Sequence, residues 1–269
     1  MSAPTLDAAE VAAAARQLEA AEASRSQVRP TSAQFPGMTI ADAYRVQDAW
    51  VRRKQAAGRR IIGRKIGLTS RAMQQAMHID EPDYGTLLDD MVFDNGTQID
   101  AGRFTDLRIE AELAFVLGRP LAGTDLGADE VMAATDWVAP ALELIAARSF
   151  RVDPETGRPR GIVDTISDNA AAAGIVLGER VRPDAVDLRW CGVILKRNGI
   201  VEETGLAAGV LDHPANGVAW LARRFAAHDI ALEPGQVILA GSFTRPVGVA
   251  AGDRIEADFG PLGCLSCTF

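Results

Sequence analysis

Between residues 107 and 117 the chain alternates strictly. Leu107, Ile109, Ala111, Leu113, Phe115 and Leu117 fall on one parity, and Arg108, Glu110, Glu112, Ala114 and Val116 on the other. This is the period of a β-strand, with the first set facing a core. Glu110 and Glu112 then project from one face, their Cα atoms roughly 6–7 Å apart. Two carboxylates on one rigid face repel each other unless a cation or a shared proton lies between them. A solvated strand edge is the competing reading of the same spacing.

Helical patterns dominate the start of the chain. Residues 5–26 are Ala-rich with a thin apolar face, and Thr5 or Asp7 is placed to cap the helix. A second helix opens at Thr39, which pairs with Asp42 as a capping box, and ends at Gly58. Its stripe is Ile40, Ala43, Val46, Trp50 and Val51. Residues 1–60 therefore read as an N-terminal helical region, and residues 61–269 as a second domain.

Residues 60–69 predict a strand interrupted by Gly63 and Gly67, with Lys65 between them, and Ser70 caps a short helix over 71–77. Residues 81–85 read as a turn, 87–93 as a strand, and Asn95-Gly96 as another turn. A helix is expected over 128–136, then an apolar run over 141–145 with Glu143 at its centre. Residues 151–160 are a loop dense in Arg, Pro and Gly: a lid, a specificity loop or a plain surface excursion. Residues 164–169 lead into an apolar stretch over 170–177. Asn198-Gly199 predicts a hairpin between 188–196 and 199–203. A helix begins at Pro214 with Val218, Leu221, Ala222 and Phe225 buried, and strands follow over 236–243 and 254–259.

Composition narrows the functions open to this pattern. The 269 residues carry a formal net charge of −8, which excludes a general attraction to nucleic acid or anionic membrane. An anionic substrate must be held locally, by a metal or a few Arg and Lys. Three cysteines, an odd number, argue against a disulfide framework and for a reducing compartment. Cys264 and Cys267 read as small side chains on a terminal strand. With neither a leader pattern nor an apolar run approaching the ~20 residues of a membrane span, a cytoplasmic protein is expected. His78, His213 and His228 are scattered and read as caps or surface residues. No GxSxG, phosphate-binding or dinucleotide-binding signature is present.

A carboxylate inside an apolar run needs a partner, and a cation shared by Glu143, Glu110 and Glu112 supplies one. Three carboxylates without Cys or His favour a hard ion, Mg²⁺ or Mn²⁺. Three Glu ligands would leave positions for water and for the carboxylate and keto oxygens of a 2-oxo acid. Lys65 and Asp83 are the best candidates for moving protons. Lys65 on a surface edge strand is the plainer alternative. Free N–H groups at Gly67-Leu68-Thr69-Ser70, a helix start, suit a carboxylate.

Lys65-Ile-Gly-Leu-Thr-Ser70, Pro82-Asp-Tyr-Gly85, Glu110-Ala-Glu112, Pro140-Ala-Leu-Glu-Leu144, Asp164-Thr-Ile-Ser-Asp-Asn169 and Glu203-Thr-Gly-Leu-Ala-Ala-Gly209 appear in order. Together they resemble the hydratase/decarboxylase family of the fumarylacetoacetate hydrolase superfamily. The resemblance implies an α+β fold, a mixed β-roll or barrel carrying flanking helices and an N-terminal helical cap. It implies Mg²⁺ on Glu110, Glu112 and Glu143, and acid/base roles for Lys65 and Asp83. Leu68 and Thr69 would lend backbone N–H groups to the substrate's 1-carboxylate. Arg64, Arg148, Arg151 or Arg160 would hold a distal carboxylate. The implied activity is hydration of a 2-hydroxy-2,4-dienoate or 2-oxo-enoate in aromatic-compound breakdown, by a homo-oligomer as large as a decamer. Decarboxylation of a 2-oxo-3-enedioate is the alternative on the same scaffold. A catalytically idle structural subunit is a third, and the intact Lys65, Asp83 and three Glu argue against it.

Overall fold

The structure is a computed structural model and describes residues 3–269 apart from Met77, His78 and Asp80, so the His78 expectation lies outside the described residues. Helix α1 (Ala8–Ser24) is capped by Asp7, which accepts the Glu10 N–H at 2.9 Å while Glu10 accepts the Asp7 N–H at 2.8 Å. A single turn, α2 (Thr31–Gln34), was not legible in the pattern. Helix α3 (Ile40–Ala56) has the expected box between Thr39 and Asp42. Buried Asp42 also accepts the N–H groups of Thr5 and Leu6 at 2.9 and 3.0 Å, which ties the lead-in of α1 to the cap of α3.

There follow β1 (Ile61–Gly67), α4 (Arg71–Ala76), β2 (Asp83–Leu88), β3 (Val92–Phe93), β4 (Leu107–Leu117), α5 (Ala128–Ala134) and β5 (Thr135–Ala146). The chain continues through α6 (Ile162–Ser167), β6 (Ala172–Leu177), β7 (Gly192–Arg197), β8 (Ile200–Leu206) and α7 (Pro214–Ala226). It ends with β9 (Val237–Leu239), β10 (Val247–Gly248), β11 (Arg254–Asp258) and β12 (Cys264–Thr268). A large mixed sheet runs β2–β1–β9–β4–β5–β6–β3, with β10 on β4, and a smaller sheet runs β12–β11–β7–β8. The architecture is α+β, as the resemblance implies.

Several boundaries differ from expectation. Asp83 starts a strand instead of lying in a turn, because it pairs with Gly67 across β1. The 87–93 strand is split after Leu88 by a short helical turn at Asp89–Met91. The helix from 128 stops at Ala134, since Thr135 already enters β5. The strand expected over 236–243 covers only Val237–Leu239. His213 caps α7, its Nδ1 accepting the Ala215 N–H at 3.1 Å. Cys264 is exposed and Cys267 buried, on opposite faces of β12, so the pair cannot chelate one ion.

Strand β4 is buried on both faces. Leu107, Ile109, Ala111, Leu113, Phe115 and Leu117 enter the core shared with α7 and the small sheet. On the other face, Ala114 packs in a second cluster with Val11 and Leu18 of α1 and Trp50 of α3. The wet-edge reading of Glu110 and Glu112 does not hold: Glu112 is buried and Glu110 half-buried, and the N-terminal helices cover the Ala114 end of the same face. Among the described residues, no helix is long and apolar enough to cross a membrane.

Candidate active site

Strand register alone assembles the chemistry. Strands β4 and β5 run antiparallel with Glu110 directly opposite Glu143 and Glu112 opposite Ala141. Directly opposed residues share a face, so the three carboxylates project together. One oxygen from each lies within 4.8 Å of the others. Across β9, Leu239 aligns with Ala114 on one side and with Lys65 on the other. Lys65 in turn aligns with Gly85, and Asp83 with Gly67. All of these positions share the parity of the glutamates, which brings Lys65 and Asp83 onto their face.

Four carboxylates thus meet one ammonium in a nearly dry setting. Glu143 is fully buried, Lys65 is 4% exposed, Asp83 is 2% exposed, and Glu110 is half-buried. Lys65 Nζ lies 3.3 Å from Glu143 Oε1. Burial opposes the lysine's charge, but Glu143, Asp83, Glu110 and Glu112 outweigh it and hold the ammonium protonated well above its usual range. Burial and the neighbouring Glu143 push Glu110 up to about 8, with Lys65 pulling the other way. Burial, Glu143 and Glu110 likewise raise Glu112, which accepts the Gly241 N–H at 2.9 Å. Burial also raises Asp83, opposed by Lys65 and Arg160.

Neither oxygen of Glu143 or of Asp83 makes a well-formed hydrogen bond, although Lys65 Nζ stands 3.3 Å from Glu143 Oε1. Buried carboxylates left this way are costly and mark a place for a ligand. Three converging Glu oxygens with no Cys or His donor fit a hard divalent cation, so the residues present suit the group the sequence implies.

Lys65, Asp83, Glu110 and Glu112 line a cavity of about 460 Å³ together with Leu68, Thr69, Ile145, Arg160, Ala170, Ala171 and Ser242. Leu68 leaves β1 with φ +55°, an uncommon left-handed conformation for leucine, and its carbonyl accepts Gln74 Nε2 at 2.8 Å. A Cβ on Gly67 would collide with Asp83 Oδ1, so glycine is required where the proton-carrying groups meet.

Residues 169–171 contribute what the sequence did not reveal. Asn169, Ala170 and Ala171 all have positive φ, at 53°, 50° and 60°. Asn169 fixes this run by accepting the Thr86 N–H at 2.7 Å and donating to the Thr86 carbonyl at 2.9 Å. Strain of this kind persists only where the surroundings enforce it. The Asp164-to-Asn169 motif pointed at the region but gave no sign of the strain. Gly241 and Ser242 were also missed, since both lie in what reads as an apolar strand.

The four candidate arginines separate cleanly. Arg64 alternates with Lys65 and points to the opposite face, its guanidinium 5.4 Å from the Phe225 ring centre and donating to the Gly63 carbonyl at 3.1 Å. The expectation that it contacts substrate is corrected. Arg148 is buried beneath α1 and bonded to Asp168 at 3.0 Å and Glu22 at 3.1 Å. Arg151 pairs with Asp106, and Arg160 lines the cavity itself.

Residues 55–269 match the family described as fumarylacetoacetate (FAA) hydrolase C-terminal. The chain belongs to the fumarylacetoacetate hydrolase family. Within it, the chain is 57% identical over 256 residues to the 2-oxo-hept-4-ene-1,7-dioate hydratase of Escherichia coli, covering 95% of this chain and 96% of that protein. It is 36% identical over 268 residues to the 4-oxalocrotonate decarboxylase of Pseudomonas putida, covering 98% of each. A solved family member, the 4-oxalocrotonate decarboxylase from Pseudomonas putida G7 complexed with magnesium and adipate, superposes with a TM-score of 0.93 at 36% identity. That superposition covers 99% of this chain and 100% of the other. The roll-like α+β fold that the sequence motifs imply is the fold of this family.

Proposed function

We propose that this enzyme is a Mg²⁺-dependent hydro-lyase that hydrates 2-oxohept-4-ene-1,7-dioate to 4-hydroxy-2-oxoheptane-1,7-dioate, in the breakdown of aromatic compounds such as 4-hydroxyphenylacetate. The observation that carries this reading is the converging trio Glu110, Glu112 and Glu143 beside Lys65 and Asp83. The 57% identity to a hydratase of that substrate supports the choice of chain length. Glu110, Glu112 and Glu143 would hold the cation, with Mn²⁺ as a substitute. When bound, the cation supplies Lewis-acid polarisation of the 2-oxo group.

The chain's own groups do the rest. Leu68 and Thr69, at the turn after β1, offer backbone N–H groups to the 1-carboxylate and orient the 2-oxo end toward the glutamates. The dienol form, 2-hydroxyhepta-2,4-dienedioate, loses its hydroxyl proton and gains one at C5, which yields the conjugated 2-oxo-3-ene. Water then adds at C4, its second proton passing to C3. Asp83, buried and without a hydrogen-bond donor, takes the proton from water, and Lys65, held protonated by four carboxylates, returns one to carbon. Lys65, Asp83, Glu112 and Glu143 are all buried, so these exchanges occur in a low-dielectric setting. Within the same reading the enzyme works in the cytoplasm as a homo-oligomer, the latter checked by light scattering.

The deciding assay offers C5, C6 and C7 dienol substrates with Mg²⁺ and follows both loss of the dienol and release of CO₂. Hydration fastest on the C7 dicarboxylate, with no CO₂, is expected. CO₂ release from a 2-oxo-3-enedioate would transfer the chain to the decarboxylases.

A further inference from the structure

Beyond the glutamates, along the same face of β4, lies a patch of positive charge. Arg108 precedes Glu110 by two residues, about 6–7 Å along the strand. Its cross-strand partner on β5 is Ile145, which lines the cavity. The loop over 151–160 folds back on itself: the Arg160 N–H donates to the Arg151 carbonyl at 2.8 Å, and Val152 bridges Pro159. The two loop arginines are thereby held side by side next to Arg108.

Anions are too few for these three guanidinium groups. Asp106 pairs with both Arg151 and Arg108. Arg160 feels Asp83 across the cavity, but its one ion-pair partner among the described residues is Asp168, with Oδ2 at 3.9 Å, and that oxygen already accepts the Arg148 N–H at 2.7 Å. Arg108 Nε, Arg151 Nη2 and Arg160 Nη1 are all buried without a hydrogen-bond partner. Burial, then repulsion from Arg160 and Arg108, lowers the pKa of Arg151, as expected of cations crowded without a counter-ion. The side chain of Arg160 is only 9% exposed, yet the residue lines the cavity. The other arginine on that wall, Arg245, is 80% exposed and bonded to Glu203 at 2.7 Å, so it is neither dry nor unsatisfied.

We propose that Arg160, backed by Arg151 and Arg108, is the specificity element that receives the second carboxylate of a dicarboxylic substrate. This rests on the hydratase reading for the other end of the molecule, where the 2-oxo acid meets the glutamates. A planar guanidinium with an open N–H fork suits a carboxylate, and a dry site that leaves such a fork unpaired rejects a ligand lacking that group. The loop over 151–160 is then a specificity loop that carries both ends of the receptor.

The test compares 2-oxoadipate with 2-oxohexanoate, equal in length and differing in the distal carboxylate, by calorimetric titration of the Mg²⁺-loaded protein. Wild type is expected to prefer 2-oxoadipate by on the order of 100-fold. Arg160→Gln should shrink the preference to a few-fold, and Arg160→Lys, which keeps charge but loses the fork, to an intermediate value. In turnover, Arg160→Gln should lower the ratio of kcat/KM for the C7 dicarboxylic dienol over the C5 monocarboxylic dienol by a similar factor. A wild-type preference retained in Arg160→Gln overturns the assignment, as does its absence in wild type. If Arg160→Gln does not fold, full preference in Arg160→Lys overturns it instead. Should wild type hydrate neither dienol, the hydratase reading fails; hydration of both with no dicarboxylate preference removes only the receptor.

Discussion

Two clusters of buried charge flank strand β5, and they are finished to different degrees. In one, Arg148 sits beneath α1, bonded to Asp168 and Glu22, its guanidinium 4.7 Å from the Trp50 ring centre. Its charge is held by two carboxylates against the cost of burial. In the other, Lys65 faces Glu143, Glu110, Glu112 and Asp83, and the oxygens of Glu143 and Asp83 are left without a well-formed hydrogen bond. The first cluster pairs both terminal nitrogens of Arg148, leaving Nε as its one unmatched guanidinium atom, and fastens α1 to the sheet. The second closes only when something else enters. Burial alone does not separate structure from chemistry; the count of partners does.

Substitutions should pull the two clusters apart. The largest effect belongs to Glu110→Gln or Glu143→Gln, which should reduce hydration by on the order of 10³-fold or more. Melting of the metal-free protein should hold or rise, because a repelling charge has gone. Normal turnover with Mg²⁺ would remove that glutamate from the site. Next comes Lys65→Ala, expected to cost about 10²–10⁴-fold in kcat while Mn²⁺ still binds, as read by its paramagnetic resonance signal. Arg148→Met should do the reverse. Breaking that buried network should cost about 3–5 kcal/mol in a urea melt, with kcat near wild type at low temperature. A large kcat loss in a folded Arg148→Met protein would merge the two clusters.

The smallest effect concerns the seam at Asp42. Burial works against its charge, but the N–H groups of Thr5, Thr39 and Leu6 outweigh it and hold the carboxyl well below the usual carboxylate range. A depressed folded value stabilises the protein above the ordinary carboxylate value near 4 and loses that contribution as pH falls below it. Asp42→Asn should therefore cost about 1–2 kcal/mol at pH 7 and narrow its gap to wild type on acidification. An equal gap at pH 7 and pH 3 would deny the carboxylate this role.

How much could be read from the chain follows the range of each interaction. The alternation over 107–117 and the caps at Asp7 and Thr39 are local, and each appeared where the residues placed it. The Glu-x-Glu spacing showed two carboxylates on one face, but not that Glu143 stands directly opposite Glu110, because strand register is a long-range fact. Asp83 was misplaced because Pro82 and Gly85 look like turn residues. In the fold, a Cβ on Gly85 would strike the Asn169 carbonyl and crowd Lys65, so the glycine serves close packing. The left-handed run at Asn169, Ala170 and Ala171 was invisible, since alanine carries no residue-level mark of positive φ. Arg64 was misassigned for want of one parity step from Lys65.

The partner missing from the unfinished cluster can be looked for directly. Calorimetric titration of metal-free wild type and Glu143→Gln with Mn²⁺, each checked for fold by circular dichroism, asks whether the three glutamates form one cation site. One ion per chain in wild type, and none at the same concentrations in folded Glu143→Gln, is the expected result. Equal binding by the two proteins would contradict it.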